Sequence, residues 1–545
     1  MIQSQSFNRS RIQTAITAVI TGNLSLASAP GNVEISPRES GLPRPSVVNV
    51  SQLFTIDKRS LRSRSGRLAP STMEAVDEGL RIALGSLSMR IRLSSIAFSA
   101  FSVALALLLM ASGSLRAEEA PAAALVLAGG TIIDVSSFGS SEADVKDSVI
   151  VLRDGQIVAA GPRKDVKIPA GARVLDISGK SVVPGLNDAF ATLNNQAQAN
   201  AFLYLGVTSI IGLGEPPGGR RGPLDLDANP SPRIYRLDWE WSPDASMPEP
   251  EVVKKIDALS QAGVKVLLLH YGMTPAQVRV AARRARELGM ATIGELGLTT
   301  YAEAIQAGVN AFVHTSRYSV DIAPPEMRKE VVGDPFGPPV GKFYRYLAGL
   351  SASDPAVQRH AAVLASGRMG LIPTASMWYL DLPGHENPWK EPIAAILDPK
   401  DLHLPANPST GESDDRKPMA PTMAAKFREL DGQYRKAGAK FLAGSGSDAF
   451  GTMPGISLHT ELQLLTRIGL TPRQALAAAT SNLGELFGWS QIGQVKAGYK
   501  ADLLVLDADP VEDVGHLKKI RMVVLNGKIL DRDRLLHPAS RQSGQ

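Results

Sequence analysis

The stretch Val264–Leu296 reads "VKVLLLHYGMTPAQVRVAARRARELGMATIGEL" and holds a strand-like run, a helix and a second strand-like run in succession. The apolar run "VKVLLLHYG" comes first. A helix is predicted over Pro275–Leu288, with Pro275 just inside its start, where the missing N–H costs nothing, and Gly289 just past its end. "ATIGEL" follows as the next strand. The same alternation runs through "GVTSIIGL", "NAFVHT", "GLIPTASM" and "AKFLAGSGSD", with "TYAEAIQAG" as another helical piece. Strands alternating with helices predict a parallel sheet with crossover connections. About 300 residues carry this pattern, which fits an α/β fold of the (β/α)8 TIM-barrel type over 186–490 better than an open doubly wound sheet. No Gly-rich dinucleotide fingerprint argues for the open sheet.

On either side the pattern changes to short β-rich pieces. "ALVLAGGTIID", "SVIVLRDGQIVAAG" and "ARVLDISGKSVVPG" precede the barrel, and "ADLLVLDADP" and "IRMVVLNGKILD" follow it, with Asn526-Gly527 suited to a tight hairpin. Neither end has the area to bury a core alone. Residues 125–185 and 494–533 are therefore expected to form one small β-sandwich subdomain from both ends of the mature chain.

The chain has 545 residues, is 44% hydrophobic and carries a formal net charge of +5. Up to Ala117 there are 13 basic and 6 acidic residues, leaving 45 against 47 for the remainder, a net of −2. The basic excess belongs to the N-terminal segment, so no nucleic-acid partner is expected. Within that segment, "MRIRLSSIAFSAFSVALALLLMASGSLRAEEAP" places Arg90 and Arg92 before an apolar run from Ile96 to Met110, followed by small residues. This reads as a signal peptide over 89–117, cut near Ala117 or after Ser114. The run is short for a membrane span. An uncleaved anchor is the alternative; with cleavage, no stable span remains and the product is periplasmic or secreted. Residues 1–88 are rich in Ser, Arg and Pro and show no evident core, which suggests either a non-native extension ahead of a true start at Met89 or a disordered arm. The absence of cysteine excludes disulfides and thiolate metal sites.

The landmarks "GGTIID", "DGQIVAAGP", "VVPGLNDA", "YLGVTSI", "AGSGSDA", "LHTELQLLTRIGLTPRQALAAATSNLGELFG", "IGQVKAGYKADLLVLDADP" and "VVLNGKIL" occur in order over roughly 125–530. Together they resemble the amidohydrolase superfamily, in the style of its imidazolonepropionase-like and prolidase-like members. The resemblance implies one or two divalent metals at the C-terminal mouth of the barrel, which acidify water and polarise a carbonyl. It also implies a His-x-His pair on strand 1, often a carboxylated Lys on strand 4, His on strands 5 and 6, and Asp on strand 8. Those positions hold Phe190 and Thr192, Leu268, Glu295, His314 and Asp448. Phe190 has no lone pair, Thr192 is a poor ligand, and Leu268 cannot form the bridging carbamate, so the two-metal centre is not expected.

A single-ion site is still open to this sequence. Side chains alternate along a strand, so His270 faces the same side as Leu268, one step nearer the mouth. His270, Glu295, His314 and Asp448 would offer two nitrogens and two carboxylates to zinc or manganese, with Asp448 as general base. The alternative is a set of hydrogen-bonded structural residues, with Glu295 and His314 as a buried acid–imidazole pair. His459 is expected to pack. His360, His385, His403, His516 and His537 lack ligand spacing. The loops "GEPPGGRRGPLD" and "DLPGHENPWKEP" are long enough for lids, and Trp239 and Trp241 are candidates for a pocket wall. Two functions follow: a hydrolase of carbon–nitrogen bonds other than the ordinary peptide bond, or of related amides and dipeptides, in small molecules; or a non-catalytic amidohydrolase-like binding protein. Either is compatible with a homo-oligomer or with pairing to a related amidohydrolase.

Overall fold

A computed structural model describes residues 14–57, 65–66, 68–83, 124–213, 230–238, 243–317, 319–378, 387–411 and 421–537. The signal segment 89–117, Trp239, Trp241, His385, the loop 214–225 and the first half of the loop 381–392 lie outside them. The chain divides into two units, Met1–Arg116 and Ala117–Gln545.

In the first unit, strands β1 (Thr14–Thr21), β2 (Val33–Ile35) and β3 (Ser46–Asp57) form an antiparallel sheet in the order β1-β3-β2. A helix, Pro70–Ala83, packs on this sheet, and Ile35, Val48, Val50 and Val76 are buried together with Leu42, Leu68 and Leu80 at their margin. Gly31 and Gly79 face each other so closely that a Cβ on Gly31 would stand 2.8 Å from the Gly79 carbonyl. The helix backbone therefore rests directly on the turn before β2. This corrects the expectation of a coreless or disordered arm over residues 1–88. The apolar side chains are few and spread over 40 residues of Ser-, Arg- and Pro-rich sequence, so no single window shows a core, although Val48 and Val50 do alternate within β3.

The second unit is built on eight strands: β10 (Leu186–Thr192), β11 (Val207–Leu213), β12 (Arg233–Asp238), β13 (Val266–Leu269), β14 (Ala291–Gly294), β15 (Ala311–Val313), β16 (Gly370–Ile372) and β17 (Lys440–Phe441). They pair in parallel in sequence order. Beyond β17 the chain runs alongside β10: Ala189 N donates to Ala443 O at 2.8 Å, Gly446 N to Phe190 O at 2.8 Å and Thr192 N to Ser447 O at 2.6 Å. These bonds join the last strand to the first and close a TIM-type barrel. The helix read from the opening stretch spans Pro275–Glu287, started by a reciprocal Thr274–Gln277 cap. Inside the ring, Ala189, Phe190, Ile211, Leu268, Ile293, Val313, Ile372 and Leu442 make one apolar cluster, while the alternate residues Leu267, Leu269 and Phe312 pack outward on the helices.

The flanking residues make two further sheets. One has the strand order β7-β6-β4-β8, from β4 (Leu125–Ala128), β6 (Ser148–Arg153), β7 (Gln156–Pro162) and β8 (Arg173–Asp176). The other combines β5 (Thr131–Ile132) and β9 (Ser181–Pro184) with β18 (Leu503–Leu506), β19 (Ile520–Leu525) and β20 (Lys528–Ile529), in the order β20-β19-β18-β9-β5. Leu503–Leu506 pairs antiparallel with Ser181–Pro184, and Leu127, Ile150, Val182, Leu503 and Val524 share one apolar cluster.

Candidate functional site at the barrel mouth

The polar side chains that follow β15 and β16 form a connected group. His314 follows β15 and Thr374 follows β16, and both have left-handed backbones, with φ of 54° and 49°. Such backbones are uncommon outside glycine and gather at sites that aim a side chain. The His314 Nδ1 and Thr374 Oγ1 atoms stand 2.5 Å apart, Trp378 Nε1 donates to the same oxygen at 3.0 Å, and that hydroxyl reaches Pro373 O at 2.6 Å. The network is fully satisfied when the hydroxyl donates to Pro373 O and the ring Nδ1–H donates to Oγ1. This assigns the His314 lone pair to Nε2.

The imidazole lies between Phe190 and Trp378, each edge-on at 5.3 and 5.5 Å. Burial, reinforced by the positive charge of Arg317, lowers its pKa to about 3, so it is neutral under ordinary conditions. The Arg317 guanidinium rests over Trp378 at 5.0 Å and hydrogen bonds to Tyr344, placing a cation on an aromatic wall beside the imidazole. Asp448 follows β17, is buried, and accepts a long hydrogen bond from Gln198 at 3.4 Å.

The other expected ligands do not join this group. Phe190 and Leu268 belong to the apolar filling of the barrel. His270 follows β13 with its Nε2 buried and without a hydrogen bond. Glu295 is half-buried, and its backbone N–H completes the sheet by donating to Leu269 O at 2.9 Å. Among the described residues, no three His, Asp or Glu side chains stand together as a metal-holding cluster. His314 turns Nδ1 to a hydroxyl, its ring faces are lined by aromatics, and its charged neighbour is a cation. These donors do not fit a resident ion. His459 donates from Nε2–H to Leu205 O, 2.9 Å away, a packing role.

Two acids that the sequence reading left aside lie behind the mouth. Asp188, on the same face of β10 as Phe190 and Thr192, accepts from Ser445 N at 2.9 Å and Phe190 N at 3.2 Å. Glu461, on the helix Ile456–Arg467, accepts from Ser376 N at 2.7 Å, and the Ser376 hydroxyl donates to Ser445 O at 2.7 Å. Both carboxyls are fully buried. Burial raises Asp188 to about 7; burial, with Asp188 nearby, raises Glu461 to about 8. The sequence signal for Asp188 was its place two residues before Phe190, in phase with the inward face.

Fold and mouth together define a (β/α)8 barrel protein with its polar groups collected at the C-terminal rim, where barrels of this class carry their sites. The amidohydrolase family model matches residues 429–530, and the PemK-like, MazF-like toxin model of type II toxin–antitoxin systems matches residues 1–84. Residues of the first unit are 48% identical over 81 positions to endoribonuclease MazF6 of Mycobacterium tuberculosis, covering 15% of this chain and 71% of that protein. Among solved structures, molinate hydrolase is similar at 14% identity with a TM-score of 0.52, covering 78% of this chain and 99% of that one. Bottromycin amidohydrolase is similar at 18% identity with a TM-score of 0.50, covering 75% and 87%. The chain thus belongs to the PemK-like, MazF-like toxin family through its first unit, while its second unit matches the amidohydrolase family model over residues 429–530 and shares the fold of these amidohydrolase-like structures.

Proposed function

We propose that the second unit is an exported hydrolase of amide-like carbon–nitrogen bonds in small molecules, acting at the mouth formed by His314, Thr374, Trp378, Arg317 and Asp448. The observation that carries this reading is a neutral, oriented imidazole with a cation beside it, following β15, and a buried carboxylate following β17, at the rim of an amidohydrolase-like barrel. Asp448 would take a proton from the attacking water, and His314 Nε2 would accept a hydrogen bond from it. Arg317 over Trp378 would hold an anionic or planar portion of the substrate. A metal would supply a polarised water in this family, and at most one ion, zinc by preference, fits the reading; the donors at this mouth do not themselves make a site, so no step depends on it. We further propose that 125–185 and 494–533 form one β-sandwich subdomain, and that export begins at Met89 and removes the segment to about Ala117. N-terminal sequencing of the native product tests the last point.

The test of the hydrolase reading is a screen of the full chain, purified without chelators, on N-acyl amino acids, dipeptides and lactones, together with elemental analysis. Turnover abolished by Asp448→Asn supports it. Binding of such ligands without turnover would favour the non-catalytic alternative.

The first unit supports a separate reading as an RNA-cleaving module, because its curated relatives are named endoribonucleases. In this reading the expectation of no nucleic-acid partner is given up for the first unit. Cleavage of single-stranded RNA by the full chain, lost on truncation to Met89, would support it; the absence of any cleavage would refute it.

A further inference from the structure

A cleft of about 640 Å³ opens among the helices Tyr301–Ala307, Pro325–Gly333, Pro338–Gly349 and Pro355–Ser366. Small-molecule sites have volumes of about 300–1,000 Å³. None of His314, Arg317, Thr374, Trp378 and Asp448, the residues of the barrel mouth, lines it. Ile322, Ala323, Pro324 and Val363 give the cleft an apolar lining, and Tyr346 adds an aromatic ring. The charged groups of the lining do not balance. Arg328 and Asp321 offset one another, with Nε donating to Oδ1 at 2.8 Å, and both are engaged further: the guanidinium donates to Gly297 O at 2.6 Å and Leu298 O at 3.2 Å, and Tyr301 N donates to Asp321 Oδ2 at 2.8 Å. Arg359 brings a second guanidinium, exposed on the helix Pro355–Ser366 and without an ion pair among the described residues. Glu303 cannot offset it, because its carboxylate is turned to the N–H and hydroxyl of Thr300. The lining therefore carries one net positive charge, and it sits on Arg359.

His360 supplies a second unmatched group. It lines the cleft, is only 4% exposed, and its Nε2 is buried without a hydrogen-bond partner. The rings of Tyr301 and Tyr434 stand edge-on to it at 5.2 and 5.5 Å. Burial lowers its pKa to about 4, so at ordinary pH it adds hydrogen-bonding capacity and no charge. An exposed arginine or a shallow apolar hollow is ordinary by itself. Here one cleft collects both, with a buried and unpartnered imidazole. We propose that this cleft is a second binding site, for a small organic monoanion whose carboxylate meets Arg359 and whose apolar or aromatic body lies against Ile322, Ala323, Pro324 and Val363. The planar guanidinium can donate to both oxygens of a carboxylate, and one net positive charge matches one carboxylate better than a doubly charged phosphate. A polar substituent on the body would find its partner in His360. The site stands independently of the hydrolase reading, since it shares no residue with the mouth.

The experiment titrates the full chain by calorimetry with carboxylates of growing apolar body, from acetate through hexanoate to 4-phenylbutyrate, and with 4-phenylbutanol and 4-phenylbutylamine as uncharged and cationic counterparts. Affinity should rise with the body along the carboxylates, and the alcohol and the amine should bind more weakly than 4-phenylbutyrate. Arg359→Gln removes the charge at an exposed position, where the fold has little to lose, and should weaken 4-phenylbutyrate by roughly tenfold or more, the worth of a charge-assisted hydrogen bond. Ala302→Phe places a ring in the cleft and should abolish binding by filling it. Arg317→Gln is the control for occupation of the mouth and should leave the affinity unchanged. Melting of each variant beside the parent shows that it is folded. No binding by any of the carboxylates at millimolar concentration would overturn the proposal. So would equal binding of acid, alcohol and amine, or binding that survives both cleft variants and is lost with Arg317→Gln.

Discussion

The contact on which the mouth turns is the Thr374 hydroxyl, and Thr374→Val isolates it. Valine keeps the size and branching of threonine, and so brings no new strain to a φ of 49°, but it removes the oxygen that meets both His314 Nδ1 and Trp378 Nε1. Each of these nitrogens is then left buried without its partner. Leaving such a group unsatisfied costs about 1–3 kcal/mol, so the pair should cost about 4 kcal/mol. At ~2 cal/mol/K per residue for the entropy of unfolding, a unit spanning 117–545 loses roughly 1 °C per kcal/mol, which gives a fall of about 4 °C in Tm. Thr374→Ser is the control: it keeps the oxygen and gives up one methyl group, about 1 kcal/mol. All five tryptophans lie in the second unit, so their fluorescence reports its melting without interference from the first. A Val variant that melts within about 1 °C of the Ser variant would show that the hydroxyl is not what holds the imidazole, and the assignment of the lone pair to Nε2 would fall with it.

Burial lowers His314 to about 3 and His360 and His459 to about 4, so these rings contribute stability that is lost as pH falls below about 6.5, against the buried acids Asp188 and Glu461, which act in the opposite direction. Because the acids are common to both proteins, the loss of stability between pH 7 and 5 should be smaller in His360→Gln than in the parent, and parallel profiles would refute this. Elemental analysis of protein purified without chelators should find fewer than two divalent ions per chain; two would contradict the reading of Phe190 and Leu268. Removing 494–545 strips β18 from β9 and exposes Val182 and Leu127, so the remaining chain should lose its cooperative tryptophan transition, and retention of that transition would refute the pairing.

The barrel was legible because its signal is local and repeated. Each strand is a short apolar run, and the helix after β13 carries its own start and stop, so the predicted end at Leu288 and the observed end at Glu287 differ by a single frayed residue. The two buried acids were not legible in the same way. Asp188 and Glu461 lie at opposite ends of the barrel sequence and are linked through Ser445 and Ser376 only because the ring closes, through bonds between Ala189 and Ala443 and between Thr192 and Ser447. Ser376 and Thr374 sit in a plain turn, "IPTASM", whose importance comes from positive φ and from what stands across it. The ligand set was hard to read for a related reason: strand positions say where a donor would sit, but not which neighbour its side chain will turn to. His314 is at its expected place and turns Nδ1–H to Thr374. The fold of residues 14–83 was hidden by composition, since a three-stranded sheet with one helix needs only a handful of buried side chains.

The chemistry at this mouth can be argued from what fills the space as well as from what is missing. In the family arrangement, inward positions on strands 1 and 4 supply donors that replace an ion's water shell. Here Phe190 and Leu268 place a ring and a branched alkyl group in that part of the barrel, and Phe190 packs edge-on against His314. An ion entering there would surrender hydration and receive apolar contacts in return, a loss that one imidazole and one carboxylate cannot repay. The same packing has an opposite effect on the remaining groups. Burial between Phe190 and Trp378 keeps His314 neutral and strengthens its bond to Thr374, and in the proposed reading Arg317, over Trp378, would face a substrate anion. The polar side chains of the proposed site then come from beyond β15, β16 and β17, three consecutive strands, while Phe190 on β10 and Leu268 on β13 present apolar groups across the barrel. A substrate suited to that division has an anionic or polar end for Arg317 and Asp448 and a hydrophobic body for the wall formed by Phe190 and Leu268, so a screen should extend to N-acylated amino acids with long apolar chains as well as simple dipeptides.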